Sequence, residues 1–125
     1  MTEVIPAIIA KNFEDLKQKI SLFREYSNII QIDMCDGIFV ESQSWPMQAK
    51  DQESLSSILE EQEGMPFWTE VDFEFDMMII NAHKKFDTFL KLGVKRMVFH
   101  LEAEDEDSFY DFLESLDPFV RDNLE

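Results

Sequence analysis

The chain has 125 residues, 45% of them apolar, and 27 acidic against 11 basic residues leave it a net charge of −16. That is enough for one domain with a real core, taken as 1–125, while the negative field disfavours nucleic acid and anionic membranes and attracts divalent cations. No window of about 18 apolar residues could span a bilayer, the N-terminus lacks a basic leader, and the single cysteine, Cys35, cannot form an internal disulfide, so a reducing cytoplasm is expected.

Strand and helix alternate four times along the chain. "EVIPAIIA" (3–10) predicts a first strand, and Phe13, Leu16, Ile20 and Phe23 predict a helix over 12–26 with Asn12 as its N-cap. "NIIQIDMCD" (28–36) is the second strand. A loop holding Trp45 and Pro46 leads to a helix over 51–64, with Gly64 as its stop. "FWTEVDFEFDMM" (67–78) is the third strand, followed by a helix over 81–93 ending at Gly93. "VKRMVFHLEA" (94–103) is the fourth strand, and a last helix runs over 107–117 until Pro118 stops it. This order predicts parallel βα units.

The strands alternate rather than running apolar throughout. Ile30, Ile32 and Met34 oppose Gln31, Asp33 and Cys35; Val71, Phe73, Phe75 and Met77 oppose Glu70, Asp72, Glu74 and Asp76; Met97, Phe99 and Leu101 oppose Val98, His100 and Glu102. Successive strand residues face opposite sides of a sheet, so the apolar face is expected to carry the helices. The other face then collects Asp33, Asp76, His100 and Glu102 near the C-terminal ends of the strands, the edge where α/β sheets bind ligands.

The segments "VIPAIIAKNF", "QIDMCDGIFV", "FEFDMMI" and "FHLEA" resemble, in order and spacing, the first four strands of ribulose-phosphate 3-epimerases. The block formed by Asp33, Asp36, Gly37, Phe39 and Val40 is the most specific part. The resemblance implies four parallel βα units making half of a (β/α)8 barrel. The sequence reads as the N-terminal half of such a barrel, whether a natural half-sized protein, a gene fragment or a cut piece.

The family inverts a carbon beside a carbonyl with two aspartates as acid and base, and a divalent metal steadies the enediolate. By resemblance Asp33 is the first aspartate. Gln31 and Asp76 stand where the family has metal-binding histidines, Ala7 replaces a substrate-contacting serine, and the strand-four histidine is kept as His100. The second aspartate and the phosphate loops belong to strands seven and eight of the family. A second copy closing the barrel would bring its Asp76 to the strand-seven position, so Asp33 and Asp76 are the expected catalytic pair of a homodimer. Ala7, His100 and Glu102 are the expected substrate contacts. Gln31, Asp33 and Asp76 are the expected ligands of Mg²⁺, Mn²⁺ or Zn²⁺. The other outcome is a metal-free site whose carboxylates hold their protons unusually tightly.

Two further readings stand beside a sugar-phosphate epimerase: a non-catalytic half-barrel scaffold, and a piece of a pseudo-epimerase with a degenerate site. The acidic run "EAEDED" (102–107) speaks for these, because it would repel phosphate; otherwise it is a solvated loop or helix start. His83, among lysines, reads as solvent-exposed and idle. Cys35 reads as a small core residue, and Trp45 and Trp68 as packing or rim residues.

Overall fold

Asn12 opens the first helix as its side chain suggests, accepting the backbone N–H of Asp15 at 2.7 Å. The computed structural model describes residues 3–116. The elements are β1 (Ala7–Ile8), α1 (Phe13–Phe23), β2 (Ile29–Cys35), α2 (Gln52–Leu59), β3 (Asp72–Met78), α3 (Phe86–Leu90), β4 (Arg96–Phe99) and α4 (Glu106–Ser115). The four strands form one sheet in the order β1-β2-β3-β4, all parallel, which is the half-barrel arrangement.

The apolar side of the strand alternation is buried as expected. Ile30, Ile32 and Met34 of β2, Phe73, Phe75 and Met77 of β3 and Met97 of β4 share one core with Leu16 and Ile20 of α1, Ile58 of α2 and Phe86 and Phe89 of α3. Phe75 and Phe89 meet edge to face with centroids 6.1 Å apart, so the sheet and α3 lock through their largest side chains. No helix among the described residues is long and apolar enough to cross a membrane.

Several boundaries move. The first strand shrinks to two residues beside Pro6, which has no N–H to offer and serves only as acceptor for Gln31 at 2.9 Å. β3 starts late because residues 67–70 are wound into turns, with Glu70 and Val71 both donating to the Phe67 carbonyl. α2 ends at Leu59, five residues short of Gly64. Glu60, Glu61 and Glu63 follow, and carboxylates are unwelcome at the negative end of a helix. Gly64 serves packing instead: a Cβ there would stand 2.6 Å from Cδ1 of the Trp68 indole. The expected helix over 81–93 divides into a 3-10 turn at Ala82–Lys85 and α3. β4 stops at Phe99, and Leu101–Ala103 forms a 3-10 turn closed by Ala103 N–H to the His100 carbonyl. Leu101 is consequently 55% exposed rather than packed under the helices. Pro118 lies outside the described residues.

Candidate functional site

The parallel register arranges the polar face in rows. Ala7, Gln31, Glu74 and Arg96 stand side by side in one row, and Asp33, Asp76 and Val98 in the next row toward the C-terminal ends. His100 follows β4 immediately, still with extended backbone. Both aspartates of the outer row are held from neighbouring rows: Gln31 Nε2 donates to Asp33 Oδ1 at 2.9 Å, and His100 Nε2 donates to Asp76 Oδ1 at 2.5 Å. The Phe39 ring, from the loop after β2, lies 5.5 Å from the His100 ring and fixes its plane. Deeper in the half-barrel, Arg96 Nη1 reaches Glu74 Oε2 at 3.5 Å.

Four expected site residues therefore meet: Gln31, Asp33, Asp76 and His100. Ala7 lies on the same face but is exposed and offers only a methyl group. Glu102 does not share the strand lining. It sits exposed on the 3-10 turn, because the chain curls at His100 instead of extending.

Burial raises the pKa of Asp33; the Gln31 amide opposes this, the charge of Asp76 adds to it, and His100 opposes it. A carboxylate whose folded pKa exceeds its unfolded one stabilises the fold only at low pH, and that contribution is lost as pH rises through the folded value. Asp33→Asn keeps the acceptor for Gln31 and removes the charge. It is expected to raise the melting temperature at pH 7, with the advantage shrinking toward acid and vanishing below the ordinary value of 3.8. Equal melting temperatures at pH 7 would refute this.

Asp36, next in the chain, is built differently. Its Oδ1 accepts the N–H groups of Ile38 and Phe39 at 2.8 and 2.9 Å, and its Oδ2 accepts the N–H of Ile80 at 2.8 Å. Burial pushes its pKa up, but these backbone donors outweigh it and the net shift is downward. Its stabilisation is therefore present above the unfolded pKa and lost as pH falls through the lowered folded one. Asp36→Ala is expected to cost about 2 kcal/mol in urea denaturation at neutral pH, since three charge-assisted bonds vanish from a partly wet site. A loss under about 0.5 kcal/mol would mean water replaces the carboxylate. The Asp-Gly pair was the available sequence signal for such a side-chain turn.

Beneath this loop, Ser44 is buried, donates to the Asp33 carbonyl at 3.0 Å and accepts the Cys35 N–H at 2.9 Å. Cys35 is buried, unpaired with any other cysteine, and burial pushes its thiol pKa up, as suits a core residue rather than a nucleophile. Trp45 is a core residue, whereas Trp68 is 65% exposed.

His83 departs from expectation. It is buried, with Nδ1 2.5 Å from Glu104 Oε2 and Nε2 3.2 Å from Ser108 Oγ, and its ring packs against Phe109 and Phe112. The acidic run is correspondingly not all solvated: Glu104 turns inward, and Asp105 caps α4 by accepting the Ser108 N–H. Neither the neighbouring lysines nor the run of carboxylates marks the residues that turn inside.

The metal positions fit poorly. Gln31 points an N–H donor at Asp33, and Asp76 spends one of its oxygens on the His100 N–H. Among the described residues no three His, Cys, Asp or Glu side chains converge as a metal set.

Four parallel βα units with paired carboxylates at the C-terminal ends of the strands define half of an epimerase-type (β/α) barrel. The chain matches the ribulose-phosphate 3 epimerase family over residues 3–114 and belongs to it. A search of curated proteins finds no match.

Proposed function

We propose that this chain contributes one half of a site that moves a proton at a carbon beside a carbonyl in a carbohydrate phosphate. The observation that carries this reading is the placement of Asp33 and Asp76 in register on neighbouring strands, at the ligand-binding edge of the sheet. Abstraction of such a proton needs a base within hydrogen-bond reach, and inversion needs an acid on the opposite side of the ligand. Asp33 is the base on one side. The acid on the other is Asp76 of a second copy, brought there by pairing along the outer edges of β1 and β4, which carry no further strand among the described residues. The family membership supports the substrate class. The free, buried Cys35 supports a reducing, cytoplasmic setting.

The test is incubation with D-ribulose 5-phosphate in D2O, followed by NMR, beside light scattering of the same sample. The expected result is a particle of twice the chain mass that exchanges the proton beside the carbonyl. Asp33→Asn should slow that exchange at least about 100-fold, the scale of a lost general base. A monomer at micromolar concentration refutes the second copy, and a dimer without exchange refutes the chemistry. The latter result would favour a non-catalytic scaffold, a reading supported by the exposed acidic residues Glu102, Asp105, Glu106 and Asp107 after β4, which repel phosphate.

A further inference from the structure

We infer that this site engages its carbohydrate ligand without a divalent cation, and that the imidazole of His100, held by Asp76, accepts a hydrogen bond from a ligand hydroxyl. This deepens the function proposed above and rests on it for the ligand class.

A tightly held cation needs three or more lone pairs converging at about 2.0–2.2 Å. Asp33 Oδ1 receives the Gln31 amide N–H, and Asp76 Oδ1 receives the His100 Nε2–H, which leaves one oxygen on each carboxylate, two anionic donors with no third His, Cys, Asp or Glu converging on them among the described residues. Turning the Gln31 amide over would supply only a neutral oxygen, and would set it against Asp33 without a proton between them. The bare Nδ1 of His100 belongs to no set of three converging ligands among the described residues. The two positions where family members carry histidine thus hold groups that bond to their neighbours in this chain.

His100 is suited to meet a ligand hydroxyl. Asp76 fixes Nε2, Phe39 fixes the ring plane, and the side chain stays 31% exposed. Nδ1 has no hydrogen-bond partner among the described residues and is not buried, so its lone pair is available to accept a hydrogen bond from an incoming hydroxyl. The bond that one ring nitrogen makes fixes the tautomer and hence what the other nitrogen offers, so Asp76 sets Nδ1 as the acceptor.

Two measurements test this separately from turnover. The first is equilibrium dialysis against Zn²⁺, Mn²⁺ and Mg²⁺ in about 0.15 M salt, which screens loose attraction to the acidic surface. The expected result is no binding tighter than about 100 μM, or weak binding that Asp33→Asn/Asp76→Asn leaves unchanged. One equivalent bound more tightly and lost in that double variant overturns the inference. The second is NMR of the two histidine rings, His83 and His100, during titration with D-ribulose 5-phosphate in EDTA. The His100 signals are expected to move while those of His83 stay, and His100→Ala should weaken binding about tenfold, the loss of one good polar contact. Unmoved His100 signals at saturation, or saturation reached only when a cation is added, overturn it. Exchange in D2O that proceeds only with added metal overturns this inference and leaves the proposed function standing; cation-free binding without exchange does the reverse.

Discussion

Replacing His83 by alanine is expected to cost about 3–5 kcal/mol, because it strips the partner from a carboxylate with nowhere to go. The Glu104 side chain is 0% exposed, and its other oxygen, Oε1, already has no hydrogen-bond partner. The ring also fills space between Phe109 and Phe112, with centroids 5.8 and 5.6 Å away. Charge and cavity contribute together, and a second change separates them. Glu104→Gln in the His83→Ala background removes the stranded charge while keeping the shape, and should recover more than half of the loss. Urea unfolding of the three variants checks this. If His83→Ala costs under about 1 kcal/mol, Glu104 reaches water and the buried-pair account is wrong.

Trp45→Ala is expected to be about as damaging, 3–5 kcal/mol, the range for emptying an aromatic site in a packed core. Trp45 is 0% exposed. Its backbone N–H donates to the Ala10 carbonyl at 2.8 Å, its indole Nε1 donates to Ser54 Oγ at 2.8 Å, and its ring lies 5.4 Å from that of Phe13. One residue therefore ties the end of β1, the start of α1 and the first turn of α2 under the loop that leaves Asp33. Trp45→Phe keeps most of the apolar area and loses the indole bond. It should cost about 1 kcal/mol plus a small cavity term. Equal losses for the alanine and phenylalanine variants would show that the hydrogen bond, not the packing, carries the effect.

Much of the architecture was legible because β3 alternates without interruption from Asp72 to Met77, so the two faces of the sheet can be read directly. That alternation placed Asp33 and Asp76 on the open face, where burial, register and hydrogen bonds all put them. The same reasoning failed at Leu101 and Glu102. Their alternation continues the pattern of β4, but the N–H of Asn81 takes the Ala103 carbonyl at 2.8 Å, and the chain curls into a turn. A tertiary bond overrides a local pattern there. His83 was opaque for a related reason. Its partner Glu104 lies 21 residues away, in a run of carboxylates where nothing local distinguishes the one that turns inward. Asp36 could be quoted within a pattern, but its reach to Ile80, 44 residues on, depends on β2 and β3 being neighbours.

That reach has a consequence for the mouth of the half-barrel. Ile38 and Ile80, 78% and 40% exposed, stand on different loops, yet both hang from the Asp36 carboxylate. The two lips are therefore coupled mechanically: neither can swing outward without releasing the same anchor. Their ordering is completed when the chain folds, so an arriving molecule meets a rim whose shape is already set and loses little entropy to loop closure. Strong acid, by protonating that one carboxylate, would loosen both lips together and turn a rigid entrance into two independent flaps.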